Sequence, residues 1–197
     1  LRFEKYVDSL FYKPLGTTNM GFFFLIKFHD SRIVPSENDQ IFRKQILQGY
    51  VHDPGAAMLG GVCGHAGLFS NANDLAKLMQ MYLNKGMYGG QEYFKAETID
   101  LFTSAPFRDE DNRRGMGFDK PVEDTTEIGP TCDLASLESF GHTGFTGTMA
   151  WADPKYQLVY VFLSNRIHPD QNNSKLITTD VRTKIQQVVY EAIDARR

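Results

Sequence analysis

The sequence predicts an α+β fold: an antiparallel sheet with a C-terminal helix packed on it, preceded by a helical, loop-rich region. Three observations carry this. Apolar residues recur at helical spacing in Leu75, Leu78, Met79 and Leu83, and again in Ile177, Val181, Ile185, Val188, Val189 and Ala192. Residues 138–143, 147–153 and 157–164 read as three strands, with Ala152-Asp153-Pro154-Lys155 as the turn between the last two. Strands followed by a helix that must bury a stripe place that helix across the sheet. The chain therefore divides by element type into a helical, loop-rich part at 1–105 and a sheet part at 106–197, both belonging to one domain.

The elements follow in order. Phe3, Val7, Leu10 and Phe11 have helical spacing, and Pro14 with Gly16 stops the run. The apolar patch Phe22–Ile26 reads as buried loop or a short strand. Residues 36–72 carry six glycines but also Val51, Met58, Leu59, Val62, Leu68 and Phe69, so they read as a structured functional region and not as a linker. The helix at 75–83 has Asn71 or Asn73 as its cap and Gly86 as its stop. Residues 96–103 form a shorter helix, and 106–114 a charged, solvated loop. Gly115–Asp119 is expected as a strand. Leu158–Leu163 is almost wholly apolar and is expected as a central strand covered on both faces.

Composition removes several classes. Of 197 residues, 42% are hydrophobic and 23% charged, which argues for a globular chain. Lys plus Arg number 21 against 24 Asp plus Glu, so there is no basic footprint for nucleic acid. The longest apolar run, Met20–Ile26, is too short to span a bilayer. Two cysteines, Cys63 and Cys132, exclude a disulfide framework and a Cys-built zinc site. The chain opens in mid-helix at Leu1 without a signal segment, and so reads as a piece of a longer protein.

His52, Asp53 and His65 sit in the glycine-rich stretch. They lack the i,i+4 helical pairing and the glutamate of a zincin, so hydrogen bonding is expected of them, with neither metal nor cofactor. His142 differs, standing in Phe140-Gly141-His142-Thr143-Gly144-Phe145-Thr146-Gly147-Thr148. Glycines there let backbone approach a ligand closely, and a polar side chain followed by Thr and Gly on a sheet edge suits the anion-binding wall of an acyl-transfer site. The same pattern fits a glycine-rich turn carrying a surface histidine. No G-x-S-x-G and no S-x-x-K occurs in the chain, and Tyr82-Leu83-Asn84 matches Y-x-N only as a three-letter coincidence on a helix.

These segments, in this order, resemble the serine β-lactamase and penicillin-binding-protein superfamily, in its class C-like, D-alanyl-D-alanine carboxypeptidase-like branch. Pro14-Leu15-Gly16 resembles the family's turn after the helix that follows its tyrosine motif. Gly60–Ser70 resembles its glycine-rich segment, with the helix start at Asp74-Leu75-Ala76 after it. His142-Thr143-Gly144 resembles the third catalytic box, and Leu163-Ser164-Asn165-Arg166 the end of the following core strand. The wording around Val51-His52-Asp53 and Gly64-His65-Ala66-Gly67 is similar to a bacterial subgroup fused behind a glycoside hydrolase family 3 domain.

The resemblance implies a partial β-lactamase/transpeptidase-like fold and a cell-envelope or periplasmic location. It also implies a small-molecule or peptidoglycan-type substrate, among β-lactams, D-Ala peptides and esters. It gives His142 the substrate carboxylate and a part in tuning the general base, Thr143 a hydrogen bond to substrate, and the Phe145 N–H one place in the oxyanion hole, with Gly144 as the third residue of the same box. In the family the Ser-x-x-Lys and Tyr boxes lie upstream of the segment matched by Pro14, so the chain is expected to be inactive alone. The alternatives are a non-catalytic module that binds a cell-wall ligand and, further off, a metal hydrolase built on His52, Asp53 and His65. The fragment reading also leaves a sheet edge uncovered, which invites self-association.

Overall fold

The computed structural model describes residues 1–124 and 126–196. The expected boundary at residue 105 separates types of element. By compactness the chain forms two units, Leu1–Leu75 with Leu163–Lys175, and Ala76–Phe162 with Leu176–Arg197.

In the first unit, α1 (Phe3–Val7) runs into a wider helical turn at Asp8–Tyr12, and Leu15 N–H then closes onto Phe11 O. The apolar patch is neither strand nor buried loop: Phe24–Lys27 forms a helical turn, α2, that buries Phe24 and exposes Ile26. One short turn has room for one inward side chain, so an apolar run there cannot all be buried. Pro35–Asp39 (β1) and Gln45–Gln48 (β2) make a hairpin that the sequence did not announce. Its connection is held by the Asp39 carboxylate, which accepts from the N–H groups of Ile41, Phe42 and Arg43 and pairs with the Arg43 guanidinium at 2.8 Å. The Arg43 hydrogen bond, with those N–H groups, holds the Asp39 carboxyl well below the usual range despite its burial. Helix α3 (Pro54–Met58) is capped by Asp53, whose Oδ1 accepts from Ala56 N–H at 2.7 Å. Asn71 caps α4 (Ala72–Leu83) by accepting from Asp74 N–H, as expected, and buried Asp74 accepts in turn from Asn19 N–H. In the segment from Leu163, the Asn165 amide donates to Pro35 O.

In the second unit, β3 (Met87–Tyr88) and β4 (Gln91–Glu92) pair as a small hairpin before α5 (Ala96–Thr103). The main sheet is β5 (Phe140–Thr143), β6 (Met149–Asp153) and β7 (Leu158–Phe162), antiparallel, in that spatial order. The middle strand is therefore β6 and not the apolar run at Leu158–Leu163. That run does have both faces in contact with apolar groups. Val159 packs toward Met79, Leu83, Phe140 and Ala152, while Leu158 packs toward Tyr190 and Phe162 toward Tyr160 and Trp151. Tyr82, the excluded Y-x-N match, packs against Phe94 and Phe118 on the α4 side.

The chain then turns through α6 (Lys175–Thr178) into α7 (Val181–Asp194). Here the expected stripe is corrected. Thr183, Gln186 and Tyr190 are the buried residues of α7, whereas Ile177 and Ile185 are exposed and Val188 is 62% exposed. Polar tips with buried partners win the inner face. Tyr190 donates to Asp153 at 2.7 Å, Gln186 accepts from Cys132 N–H, and the Arg182 carbonyl accepts from Tyr160. Asp153 also accepts from Ser136 N–H and hydroxyl, and from Lys155 N–H at 3.0 Å, which is the turn expected after β6.

Gly115–Asp119 is not a strand. It reaches the sheet at one residue, where Asp119 N–H donates to Gly141 O at 2.7 Å and Gly141 N–H donates to Asp119 O at 3.1 Å. Nor is 106–114 wholly solvated, because Arg113 leaves it to pair with Asp119 at 3.0 Å and to donate to Lys120 O. Lys120 is only 5% exposed, and its ammonium donates to Glu138 O just ahead of β5. Among the described residues, no helix is long and apolar enough to cross a membrane.

Two outcomes follow from these contacts. Tyr190→Phe removes a donor from a buried carboxylate and is expected to cost about 1–3 kcal/mol in urea unfolding. Burial, with the nearby charge of Arg108, pulls the Lys120 ammonium down to about 8 from its ordinary 10.5. Between those values the unfolded chain holds the proton that the folded chain has lost, so stability rises as pH rises. Unfolding free energies measured from pH 7 to 10.5 should show this rise in the wild type, and Lys120→Met should abolish that part of it.

Candidate active site

The four residues singled out by sequence, His142, Thr143, Gly144 and Phe145, lie together at the end of β5 and the start of the tight connection to β6. The register pairs His142 with Ala150 and Thr143 with Met149. Gly144 N–H donates to Thr148 O at 2.8 Å and Gly147 N–H to Gly144 O at 2.9 Å, which closes the turn. Glycine is required just before it. A Cβ on Gly141 would sit 2.2 Å from Ala150 O and 2.5 Å from the Trp151 indole, which lies buried beneath the strand and donates to Ser139.

Strand parity decides what these residues offer. The N–H and C=O of Gly141 face the outer edge of the sheet, toward Asp119. In an antiparallel ladder every second residue points its polar groups the same way. The N–H and C=O of Thr143 therefore also face outward, two residues beyond the point that Asp119 occupies. The His142 side chain shares a face with Phe140 and is exposed, and Thr143 lies on the opposite face. The imidazole Nδ1 lies 2.7 Å from Thr143 O. A carbonyl only accepts, so Nδ1 carries the proton and Nε2 points away from that bond. The Phe145 side chain, 58% exposed, stands on the turn at the end of this edge. β5 thus ends with an outward-facing backbone at Thr143, the His142 ring on one face of the sheet and the Thr143 side chain on the other.

The other candidates are engaged elsewhere, in the first unit. His52 Nδ1 lies 2.8 Å from buried Glu37, and His65 Nε2 lies 3.1 Å from Asp53. These are two separate His–carboxylate pairs and not one ligand set. The glycine-rich segment is a tight crossing: Gly67, at φ +110°, leaves only 2.2 Å between its would-be Cβ and Gly61 O. A pocket of about 450 Å³ lies beside it, lined among others by Phe23, Leu47, Val51 and Phe69. Both cysteines are free, Cys63 half-buried and Cys132 buried. Burial pushes the Cys132 thiol up. What the sequence reading missed is the group beside β5, namely Arg113, Asp119 and Lys120. The only local signal was the pair of charges following Phe118, which a strand reading leaves unexplained.

Comparison with known proteins bears on the family and the fold. A family model described as β-lactamase matches residues 1–182. A protein of Escherichia coli K12, provisionally named a D-alanyl-D-alanine carboxypeptidase, is 40% identical over 178 residues, covering 84% of this chain and 40% of that protein. The chain thus spans about two fifths of the length of the curated relatives it matches. Among solved structures, a β-lactamase of Mycobacterium bovis aligns with a TM-score of 0.60 at 19% identity, over 98% of this chain and 57% of that one. A simvastatin synthase variant of Aspergillus terreus aligns with a TM-score of 0.67 at 15% identity, over 99% of this chain and 51% of that one. At such identities the structural likeness speaks to fold. The match across residues 1–182 speaks to descent, and by it the chain belongs to the β-lactamase family.

Proposed function

We propose that this chain carries the substrate-binding wall of a serine hydrolase that acts on D-alanyl peptides at the cell envelope. The observation that carries the reading is the outward-facing backbone of Thr143, open at the end of β5 with His142 beside it. An extended peptide can add to such an edge by main-chain hydrogen bonds. His142 holds the carboxylate of the ligand, and the Thr143 hydroxyl bonds its terminal residue. Gly144 admits the backbone, and Phe145 N–H serves the oxyanion. The carboxypeptidase name of the Escherichia coli relative supports D-alanyl peptides over β-lactams and simple esters as the natural class, and supports the envelope as the location.

No Ser-x-x-Lys occurs in these 197 residues, so they supply no acylating serine of that kind. The chain is therefore expected to bind without turning over. That same observation favours a second reading, a binding module for cell-wall ligands that uses the same edge. Fluorescent penicillin followed by intact mass should give no covalent adduct, whereas an acyl-D-Ala-D-Ala peptide should bind saturably. His142→Ala should weaken that binding about tenfold or more, by loss of a charge-assisted bond. A covalent adduct would overturn the non-acylating reading, and unaltered binding by His142→Ala would remove His142 from the site.

Self-association belongs to the same proposal. The outer side of β7 and the exposed Ile185 and Val188 on α7 offer an edge and an apolar row. Sedimentation should show concentration-dependent dimers that Val188→Lys weakens. A monomer at all concentrations would sink this part.

A further inference from the structure

We propose that Cys63 is a site of reversible disulfide exchange, with His65 as its base and Asp53 holding that base. The ligand class is a low-molecular-weight disulfide that bears an apolar or aromatic group. The site lies wholly in the first unit and owes nothing to the β5 edge.

The thiol does not stand alone. Helix α3 and its flanks carry all three groups. Asp53 caps α3 by accepting from Ala56 N–H, and Gly61 N–H donates back to Ala56 O at 2.8 Å. Cys63 N–H then donates to Ala66 O at 3.2 Å, which confines Gly64 and His65 to a two-residue loop. The chain thereby returns to the residue that opened the helix, and His65 Nε2 lies 3.1 Å from Asp53 Oδ1. The Ala56 N–H and the His65 bond hold the Asp53 carboxyl below its ordinary range, so it accepts as a carboxylate. Nε2 therefore carries the proton, and in the neutral ring Nδ1 keeps the lone pair. A base with one nitrogen oriented by a carboxylate is what activates a neighbouring thiol.

A cavity gives these groups something to act on. Cys63 and His65 both line a space of about 310 Å³ whose other walls include Phe3, Tyr12, Phe22 and Leu68. The Phe3 and Phe22 rings meet edge to face at 5.9 Å. Such walls favour an apolar or aromatic group of modest size. Cys63 is a free, half-buried thiol and the His65 side chain is 60% exposed, so both can be reached. A Cβ on Gly64 would meet nothing within 4 Å, which leaves the loop open on that side.

In the exchange, Cys63 gives its proton to His65 Nδ1, and its sulfur attacks one sulfur of the ligand. A Cys63–ligand S–S bond forms as the ligand's own S–S bond breaks. The departing sulfur takes the proton back from the imidazolium. One disulfide is consumed and one is formed, so the ligand is the only oxidant required. The thiolate is the attacking form, which is why a base beside the thiol sets the rate.

The test follows dithiodipyridine reacting with the 197-residue chain at pH 7, by absorbance and by intact mass. The folded chain should take up one equivalent quickly, at a thiol that Cys63→Ser removes, while buried Cys132 stays unmodified. Dithiothreitol should reverse the adduct. The folded Cys63 should react about tenfold or more faster than the same chain unfolded in urea. A half-buried thiol without help reacts more slowly folded than unfolded. His65→Gln should lose the excess. Asp53→Ser, which keeps a capping oxygen for Ala56 N–H, should lose most of it. Circular dichroism checks that each variant folds, and Asp53→Ser reads the same loss should His65→Gln fail to fold. A merely structural role for His65 lowers the melting temperature and leaves the rate alone. Relative to the unfolded chain, the folded one should favour dithiodipyridine over hydroxyethyl disulfide about tenfold. Three results overturn the inference: a folded Cys63 no faster than the unfolded thiol, first reaction at Cys132, or an unchanged rate in a folded His65→Gln chain. Equal preference for the two disulfides in both states overturns the assigned ligand class.

Discussion

The carboxylate of Asp153 is the contact on which the second unit depends. It ends β6, is buried, and would be costly there without partners. Its partners come from three separate places: Ser136 in the loop before β5, Lys155 in the turn to β7, and Tyr190 on α7. One charge therefore sets the β6–β7 turn, the approach of the chain to β5 and the position of α7 on the sheet. With α7 placed, Tyr160 can donate to Arg182 O, and an Arg182 guanidinium N–H can donate to Thr148 O in the turn that carries Phe145. The candidate site thus inherits its rigidity from a group that does not belong to it.

The same device recurs at smaller scale. Asp39 organises the hairpin connection by accepting three consecutive backbone N–H groups and one guanidinium. Asp119 closes the outer side of β5 at Gly141 with Arg113 as its counter-charge. Lys120 is the opposite case, a buried cation whose bonding partner is a carbonyl and whose charged form is disfavoured by its surroundings. In a chain with many glycines and short elements, such buried charges do work that long apolar faces do in larger sheets. Each can be satisfied in only one arrangement of the loops around it, which favours a single fold.

What could be read in the sequence follows from this. The helices α4 and α5, the three strands of the main sheet and the Asp153 turn each have local causes: periodicity, a cap, an Asx turn. So does the H-T-G segment, because glycine spacing is itself local. The first hairpin was not legible, since Pro35–Asp39 and Gln45–Gln48 are mostly polar and their register is set by Asp39 and Arg43 across the turn. The face of α7 was misread because periodicity ranks Ile185 and Val188 above Gln186 and Tyr190, yet the latter pair have buried polar partners to reach. The place of Asp119 was missed because a single-residue bridge leaves no period at all.

The candidate site turns on His142, and the local geometry gives an imidazole at that position a definite meaning. The Nδ1 proton of His142 is committed to Thr143 O, in a contact of 2.7 Å. A neutral ring then presents a lone pair at Nε2, which opposes a carboxylate, and only the doubly protonated ring presents an N–H there. A lysine in its place would always offer charge, but on a flexible stem with three rotatable donors. The imidazole offers direction instead, because the bond to Thr143 O restrains the ring plane against the strand edge. The Thr143 carbonyl keeps a second lone pair for a ligand N–H, so the contact that orients the ring leaves the edge open. Charge at His142 and pairing at Thr143 are therefore coupled through one oxygen atom, and a ligand that uses both must satisfy them in the same register.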